Sequence, residues 1–434
     1  MPVLEKQTVK IGINNDKIIA LLNFIFKFYH IFLSAAKSFP GFSRSLCFNK
    51  ITGKIKGDYA KSQSIMFLFF IFIIFTIFII IGSHAFIGFS AVNLFSVKTL
   101  KGKITVYAAL AALSLGFVAS ALLLHWFQAP ILKTAYYFFS IWTGLAINLI
   151  LSFSLGWIII AIFRFSKQEL NLKRLGISII FIALSWSAYG FWNAGQIRVK
   201  AIPAGILNLP DAWVGKKAIQ ISDVHLGAIN RTSFAEKVVN LINEENPDLV
   251  LITGDLFDGT CRDYKELAAP LAGLKAPLGI YFITGNHETY DGLADIKEAL
   301  ALARVIVLED EIIDIDGVQI AGISYPIGEI RKDINPILKN INKSRPAILL
   351  YHEPIPSYAE KAKQAGVNLM LSGHTHAGQV WPVNFITSLV YKGLDYGLHK
   401  DGDFSLYTTS GAGTWGPPMR TTVRPEIVKI IFQP

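Results

Sequence analysis

No Asp, Glu, Lys or Arg occurs between Lys61 and Lys98, between Lys103 and Lys133, between Lys133 and Arg164, or between Arg174 and Arg198. Within these gaps run "IMFLFFIFIIFTIFIIIG", "YAALAALSLGFVASALLL", "GLAINLILSFSLGWIIIAIF" and "ISIIFIALSWSAYGFW". A helix needs about 20 apolar residues to cross a bilayer, and in hydrocarbon the helix satisfies every backbone polar group internally. Four transmembrane spans over residues 65–196 follow, in place of four buried core helices. The first run starts too far into the chain for a cleaved signal peptide. Residues 18–36 are interrupted by Asn23, Lys27 and His30, and read as an interfacial amphipathic helix, with a fifth span as the rival. Residues 1–64 form a basic arm around it.

Charge divides the chain at the same place. The first 200 residues carry 20 Lys and Arg against 4 Asp and Glu; the rest carry 21 against 27, within an overall charge of +10. A basic apolar half followed by an acidic polar half points to a membrane region and a soluble domain. The expected partner is the lipid bilayer, not nucleic acid, and nothing calls for a protein partner. The spans hold almost no ionisable residue beyond His84 and His125 near their ends, as an anchor would and a transporter would not. The arm from Lys37 to Lys61 holds six Lys and Arg, and the loop from Arg164 to Arg174 holds four. The larger arm, with four spans, returns the C-terminal domain to the cytoplasm. Cys47 and Cys261 lie one in each half, which gives no disulfide framework.

From residue 197 to 434 the pattern changes to an α/β layered domain. Short β-rich runs ("KAIQIS", "LVLITG", "GIYFITG", "VQIAGI", "AILLYH", "VNLMLSG") alternate with helical stretches such as "FAEKVVNLINEE" and "LADIKEALALA". Ser233, with Glu236 three residues on, reads as a capping box opening the first helix. Several strands end in a metal-ligand type: Asp223 and His225, Asp255 with Asp258 one turn on, Asn286 and His287, His352, then His374 and His376. On an extended chain alternate side chains point the same way, so His374 and His376 have the spacing to converge. Carboxylate, amide oxygen and imidazole together suit manganese, iron or zinc. Absent thiolates argue against a structural zinc. Asp255 is the natural bridge between two cations, and Gly254, Gly285 and Gly373 allow sharp turns where ligands leave their strands. Glu288 and Glu353 read as turn or helix-start residues.

The ordered set DVH, GDLFD, GNHE, YH and GHTH resembles the calcineurin-like metallophosphoesterases. The resemblance implies a β-sandwich flanked by helices and a phosphoric ester or pyrophosphate hydrolase. It implies two divalent ions, manganese foremost: Asp223, His225, Asp255 and His376 around one, and Asp255, Asn286, His352 and His374 around the other. It implies His287 as general acid, oriented by Asp258. Gly259 stands where the serine/threonine protein phosphatases of this family carry arginine, so their phosphoprotein clamp is missing. The C-terminal domain, including "SGAGTWGPPMR", is similar instead to the membrane-linked bacterial branch. One enzyme of that branch hydrolyses UDP-2,3-diacylglucosamine to lipid X and UMP in lipid A biosynthesis, which implies a lipid-linked or nucleotide-linked substrate at the bacterial inner membrane. "VWPVNFITSLVYKG" fits an acyl groove or a segment that dips into the bilayer, and Arg420 fits a bidentate phosphate contact.

Overall fold

The structure, a computed structural model, describes residues 78–434 apart from 290–291 and 328–330. The arm at 1–64, the helix expected at 18–36, most of the first apolar run and the side chain of His125 lie outside the described residues. Helix α1 covers Phe78–Leu94. It precedes α2 (Leu100–Trp126), α3 (Pro130–Phe165) and α4 (Leu172–Ala194). Among the described residues these last three are long and apolar enough to cross a membrane, and α1 is shorter. Of the four expected spans, three are therefore present as full-length apolar helices, and α1 carries the described end of the first apolar run.

Local chemistry sets the helix ends. Thr99 Oγ1 accepts from Gly102 N at 3.1 Å, and Asn171 Oδ1 accepts from Arg174 N at 3.0 Å. Both satisfy N–H groups that a helix start leaves unpaired. Pro130 opens α3, where its missing N–H costs nothing. Polar side chains tie the bundle together: Trp142 Nε1 donates to His84 Nε2 at 3.0 Å, and Asn148 Nδ2 donates to Ser187 Oγ at 2.8 Å. His84 therefore joins α1 to α3.

The remaining elements are β1 (Arg198–Gly205), β2 (Lys217–Ile221), α5 (Thr232–Glu244), β3 (Leu249–Thr253), α6 (Tyr264–Ala268), β4 (Ile280–Ile283), α7 (Leu293–Leu302), β5 (Ile306–Val307), β6 (Glu311–Ile315) and β7 (Val318–Gly322). They continue with α8 (Asn335–Leu338), β8 (Ala347–Leu350), α9 (Pro356–Ala365), β9 (Leu369–Ser372), α10 (Val383–Val390), β10 (Gly397–Asp401), β11 (Phe404–Thr408) and β12 (Glu426–Gln433). They build two mixed six-stranded sheets, ordered β1-β12-β2-β3-β4-β5 and β10-β11-β9-β8-β7-β6. The central strands are covered on both faces and accordingly read as unbroken apolar runs. Leu249, Leu251, Ile348, Leu350 and Leu371 fill the space between the sheets. The alternate residues Val250 and Ile252 pack under α5 and α7, and Leu349 and Met370 pack under α8 and α9. The result is helix, sheet, sheet, helix.

The membrane helices pack directly on this domain. Leu124 and Tyr136 belong to the same buried cluster as Ile252 and Phe282. Gln128 Nε2 donates to Thr260 O at 3.2 Å, and Lys133 pairs with Asp263 at 2.9 Å.

Candidate metal centre

Strands β2, β3 and β4 are parallel neighbours, as are β8 and β9. Their carboxyl ends therefore open on common edges, where α/β sheets place their sites. Asp223 and His225 follow β2, Asp255 follows β3, Asn286 and His287 follow β4, His352 follows β8, and His374 and His376 follow β9.

The backbone there is not extended. Asp223, His225 and Asp255 have φ of 52°, 52° and 50°, and His374 and His376 have 71° and 51°. Left-handed non-glycine residues cost about 1–3 kcal/mol each and concentrate at functional sites. This corrects the simple picture of His374 and His376 as alternate residues of one strand: β9 has ended, and the two rings go to different clusters. Gly254, at φ 90°, cannot be replaced cheaply, because a Cβ there would lie 2.6 Å from His352 Nδ1.

In the first cluster His225 Nε2 and His376 Nε2 are 3.0 Å apart. Asp223 Oδ1 lies 3.5 Å from His376 Nε2 and 3.9 Å from His225 Nε2. In the second, Asp255 Oδ2 is 3.1 Å from His352 Nε2. His374 Nδ1 lies 2.9 Å from Asn286 Oδ1 and 3.2 Å from His352 Nε2. Asp255 Oδ2 also reaches to 4.0 Å from His225 Nε2, so this carboxylate stands between the clusters. Around a cation with bonds of about 2.1 Å, neighbouring ligand atoms sit roughly 3.0–3.4 Å apart. The second cluster has this spacing, and the first is a little wider, with Asp223 set back from His225.

The electrostatics agree. Burial keeps His225 and His376 well below the usual imidazole range, and it lowers His374 to about 4. Neutral imidazole is the form that binds a metal. His352 moves the other way, to about 10: burial opposes the shift, but the Asp255 carboxylate overrides it. Burial, with Asp255 nearby, raises Asp223 to about 6. A dication answers the negative potential that these carboxylates share. His352 Nδ1 meets Thr253 O at 2.7 Å; its N–H donates there and leaves Nε2 to face Asp255.

The model for calcineurin-like phosphoesterases matches residues 216–378. A metallophosphoesterase of Helicobacter pylori is 31% identical over 273 residues, covering 62% of this chain and 72% of that protein. The chain belongs to the calcineurin-like phosphoesterases. A metallophosphoesterase of Aquifex aeolicus is 34% identical over 58% of this chain and 98% of its own length. A transmembrane protein with a metallophosphoesterase domain from Danio rerio is 31% identical over 60% of this chain and 63% of that protein. This member of the family is a metal-dependent phosphoesterase with an intact binuclear His/Asp site, joined to apolar membrane helices. The relatives, in bacteria and a vertebrate, share the family without singling out the lipid A substrate.

Around the ligands, Glu288 does more than end a turn. It is fully buried. Its carboxylate accepts from Gly285 N at 2.7 Å, Asp255 N at 3.0 Å and Phe257 N at 3.1 Å, fixing the two loops that carry Asp255 and Asn286. Burial, with Asp255 adding to it, raises Glu288 to about 7. Glu353, also read as a turn residue, accepts from Tyr391 Oη at 3.0 Å.

His287 Nδ1 meets the backbone carbonyl of Asp258 at 3.0 Å, with Nε2 4.0 Å from Asp255 Oδ2. The carboxylate of Asp258 accepts from Thr260 N at 2.7 Å and Thr260 Oγ1 at 2.6 Å. The contact seen between Asp258 and His287 thus runs through the main chain and not through the carboxylate.

Arg420 requires a correction. It is 0% exposed. Its Nε donates to Gly413 O at 3.2 Å, Nη1 to His376 O at 3.2 Å, and Nη2 to Ser410 O and Gly413 O at 2.6 Å each. A guanidinium committed to carbonyls inside the protein is not a phosphate clamp. Burial lowers it to about 10, so it stays charged at neutral pH while it braces the His376 loop.

A cavity of about 330 Å³ lies over the ligands. His287, His374 and His376 form part of its wall, facing Val383 and Ile386 of α10, Trp415, and Ile147 of membrane helix α3.

Proposed function

We propose that this phosphoesterase cleaves a phosphodiester or pyrophosphate bond in an amphiphile that it takes from the bilayer. The observation that carries this reading is the cavity: the ligand set forms one wall, and Ile147, from a membrane-crossing helix, belongs to another. A polar head reaching the metal centre would leave its chain along α3 and α10.

Asp223, His225, Asp255 and His376 would hold one divalent cation, and Asp255, Asn286, His352 and His374 the other. The mixed nitrogen and oxygen donors suit manganese, iron or zinc. Two such cations would supply Lewis acidity toward a phosphoryl oxygen and the attacking water. The chain's own part is to orient and to donate a proton. Asp258 O holds Nδ1 of His287, leaving Nε2 to protonate the departing oxygen as the P–O bond breaks.

UDP-2,3-diacylglucosamine is one amphiphile of this kind, and it requires a cytoplasmic catalytic domain. Helix pairing weighs against that placement. Gly176 at the start of α4 packs by Leu94 and Phe95 at the end of α1. The α1–α2 and α3–α4 links therefore share one end of the bundle, away from the catalytic domain. Lys98, Lys101, Lys103, Arg164, Lys167, Lys173 and Arg174 all lie there. Cations in short links favour the cytoplasm, so we place the catalytic domain on the opposite, outer face.

The test compares one phosphodiester head group on diacylglycerol and on bare glycerol, using full-length protein in nanodiscs. Each buried methylene contributes about 0.8 kcal/mol, so kcat/KM should be more than about tenfold higher for the lipid. Equal values would remove the lipid from the proposal and leave a soluble-ester hydrolase.

A further inference from the structure

We propose that α10, with Trp381 ahead of it, inserts its outer face into the same leaflet that the membrane helices enter, beside the mouth of the metal-centre cavity. The helix reads "VNFITSLV" and carries no charge. Val383, Ile386, Thr387 and Val390 line the cavity. Phe385 and Leu389, four residues apart on one helix face, are 63% and 67% exposed, and Ile386, at the rim between cavity and outer face, is 52% exposed. Trp381 is 44% exposed just before them. Single exposed apolar residues are ordinary, but four large ones clustered within nine positions mark a surface that something covers.

The bundle indicates what covers it. Ile386 and Ile147 line one cavity, so α10 stands no more than a cavity's width from α3. A hydrocarbon layer of about 30 Å takes about 20 helical residues. Counted back along α3 from Arg164, that length ends near Gly144, which puts Ile147 just inside the near boundary. Counted along α4 from Arg174, it ends near Ala194, and Trp186, Tyr189 and Trp192 are exposed in the two turns before it. Exposed aromatic residues of this kind gather at a membrane interface. Both counts bring the leaflet surface to the level of the cavity. A short uncharged helix presenting Phe, Ile, Leu and Trp at that level suits the boundary between head groups and acyl chains. The partner is therefore lipid, and this holds whatever the enzyme's substrate proves to be.

Site-directed fluorescence tests the insertion. In full-length protein carrying Cys47→Ser, with Cys261 buried, single cysteines are introduced by Phe385→Cys, Leu389→Cys or Asp403→Cys. Asp403 is exposed in the turn between β10 and β11. Each is labelled with a nitrobenzoxadiazole probe and reconstituted in phosphatidylcholine and phosphatidylglycerol vesicles. Probes at 385 and 389 should emit to the blue of the probe at 403. Shallow nitroxide lipids should quench them several-fold more, and aqueous iodide several-fold less. Iodide quenching at 385 and 389 equal to that at 403 would overturn the proposal. So would a blue shift without nitroxide quenching that grows with protein-to-lipid ratio, because that result assigns the face to a second copy of the chain.

Discussion

Asp255 is the residue on which the centre turns. It lies 3.1 Å from His352 and 4.0 Å from both His225 and His287, and its Oδ1 accepts from His287 N at 2.9 Å. One carboxylate thus serves two ligand clusters and positions the proposed acid. His287 adjoins the proposed ligand Asn286 in sequence, and, with Nδ1 on Asp258 O, we assign it the proton-donating task instead. His287→Ala should therefore keep both metals. It should slow a diester with an alkoxide leaving group by about 10²–10⁴-fold. Hydrolysis of a nitrophenyl ester, whose leaving group needs no proton, should slow far less. Equal slowing of both substrates, or loss of metal in elemental analysis of the same preparation, would show that His287 is a ligand. Each proposed ligand could be named from the sequence because each follows an apolar strand. Glu288 and the carbonyl of Asp258 could not be. Glu288 meets backbone N–H groups, and Asp258 meets His287 through its own backbone carbonyl; contacts with the main chain leave no mark on residue choice.

The elements of the catalytic domain follow the sequence closely where an apolar run decides them. "LVLITG", "AILLYH" and "VNLMLSG" became β3, β8 and β9, and the two helical stretches became α5 and α7. The expected capping box did not form: α5 starts at Thr232 with Arg231 as its N-cap and no side-chain cap bond, leaving Ser233 inside the first turn. Less legible still was the loop around Met419, some of whose partners lie more than 200 positions away. Arg420 N donates to Gly190 O at 2.9 Å, Asn193 Nδ2 donates to Arg420 O at 3.0 Å, and Arg420 in turn braces His376. Membrane helix α4 is thereby two contacts away from a metal ligand. A Cβ on Gly190 would lie 2.5 Å from Met419 Cγ and 2.8 Å from Thr421 Cγ2. Gly190→Leu should force the loop outward at about 1–3 kcal/mol. It should weaken metal binding at the His376 cluster before the His352 cluster, seen as one metal lost of two on graded chelation. Wild-type affinity at both positions would show that the loop is only a passive contact.

At the scale of the whole molecule, two halves of opposite charge meet around one cavity. The division was plain from composition, whereas the manner of joining was not, because Leu124, Tyr136 and Ile147 look like any other apolar residues of a span. Leu124 and Tyr136 pack into the core of the phosphoesterase domain, and Ile147 makes the apolar bundle part of the site's wall. Placing that domain on the outer face predicts that a reporter fused after Pro434 gives a non-cytoplasmic signal. A cytoplasmic signal would show that the arm at 37–61 governs insertion, and it would bring UDP-2,3-diacylglucosamine back within reach.

The central claim, hydrolysis by two cations held at the strand tips and shared through Asp255, is tested most directly by metal counting with turnover. Full-length protein in nanodiscs is stripped with chelator, then reloaded with manganese, iron or zinc. Metal per chain and hydrolysis of a nitrophenyl diester are measured on the same sample, for wild type and Asp255→Ala. The account predicts two metals per chain, turnover that returns only as they do, and an Asp255→Ala protein that remains in the membrane but lacks turnover. Hydrolysis by the stripped enzyme, or wild-type turnover by Asp255→Ala, would contradict it.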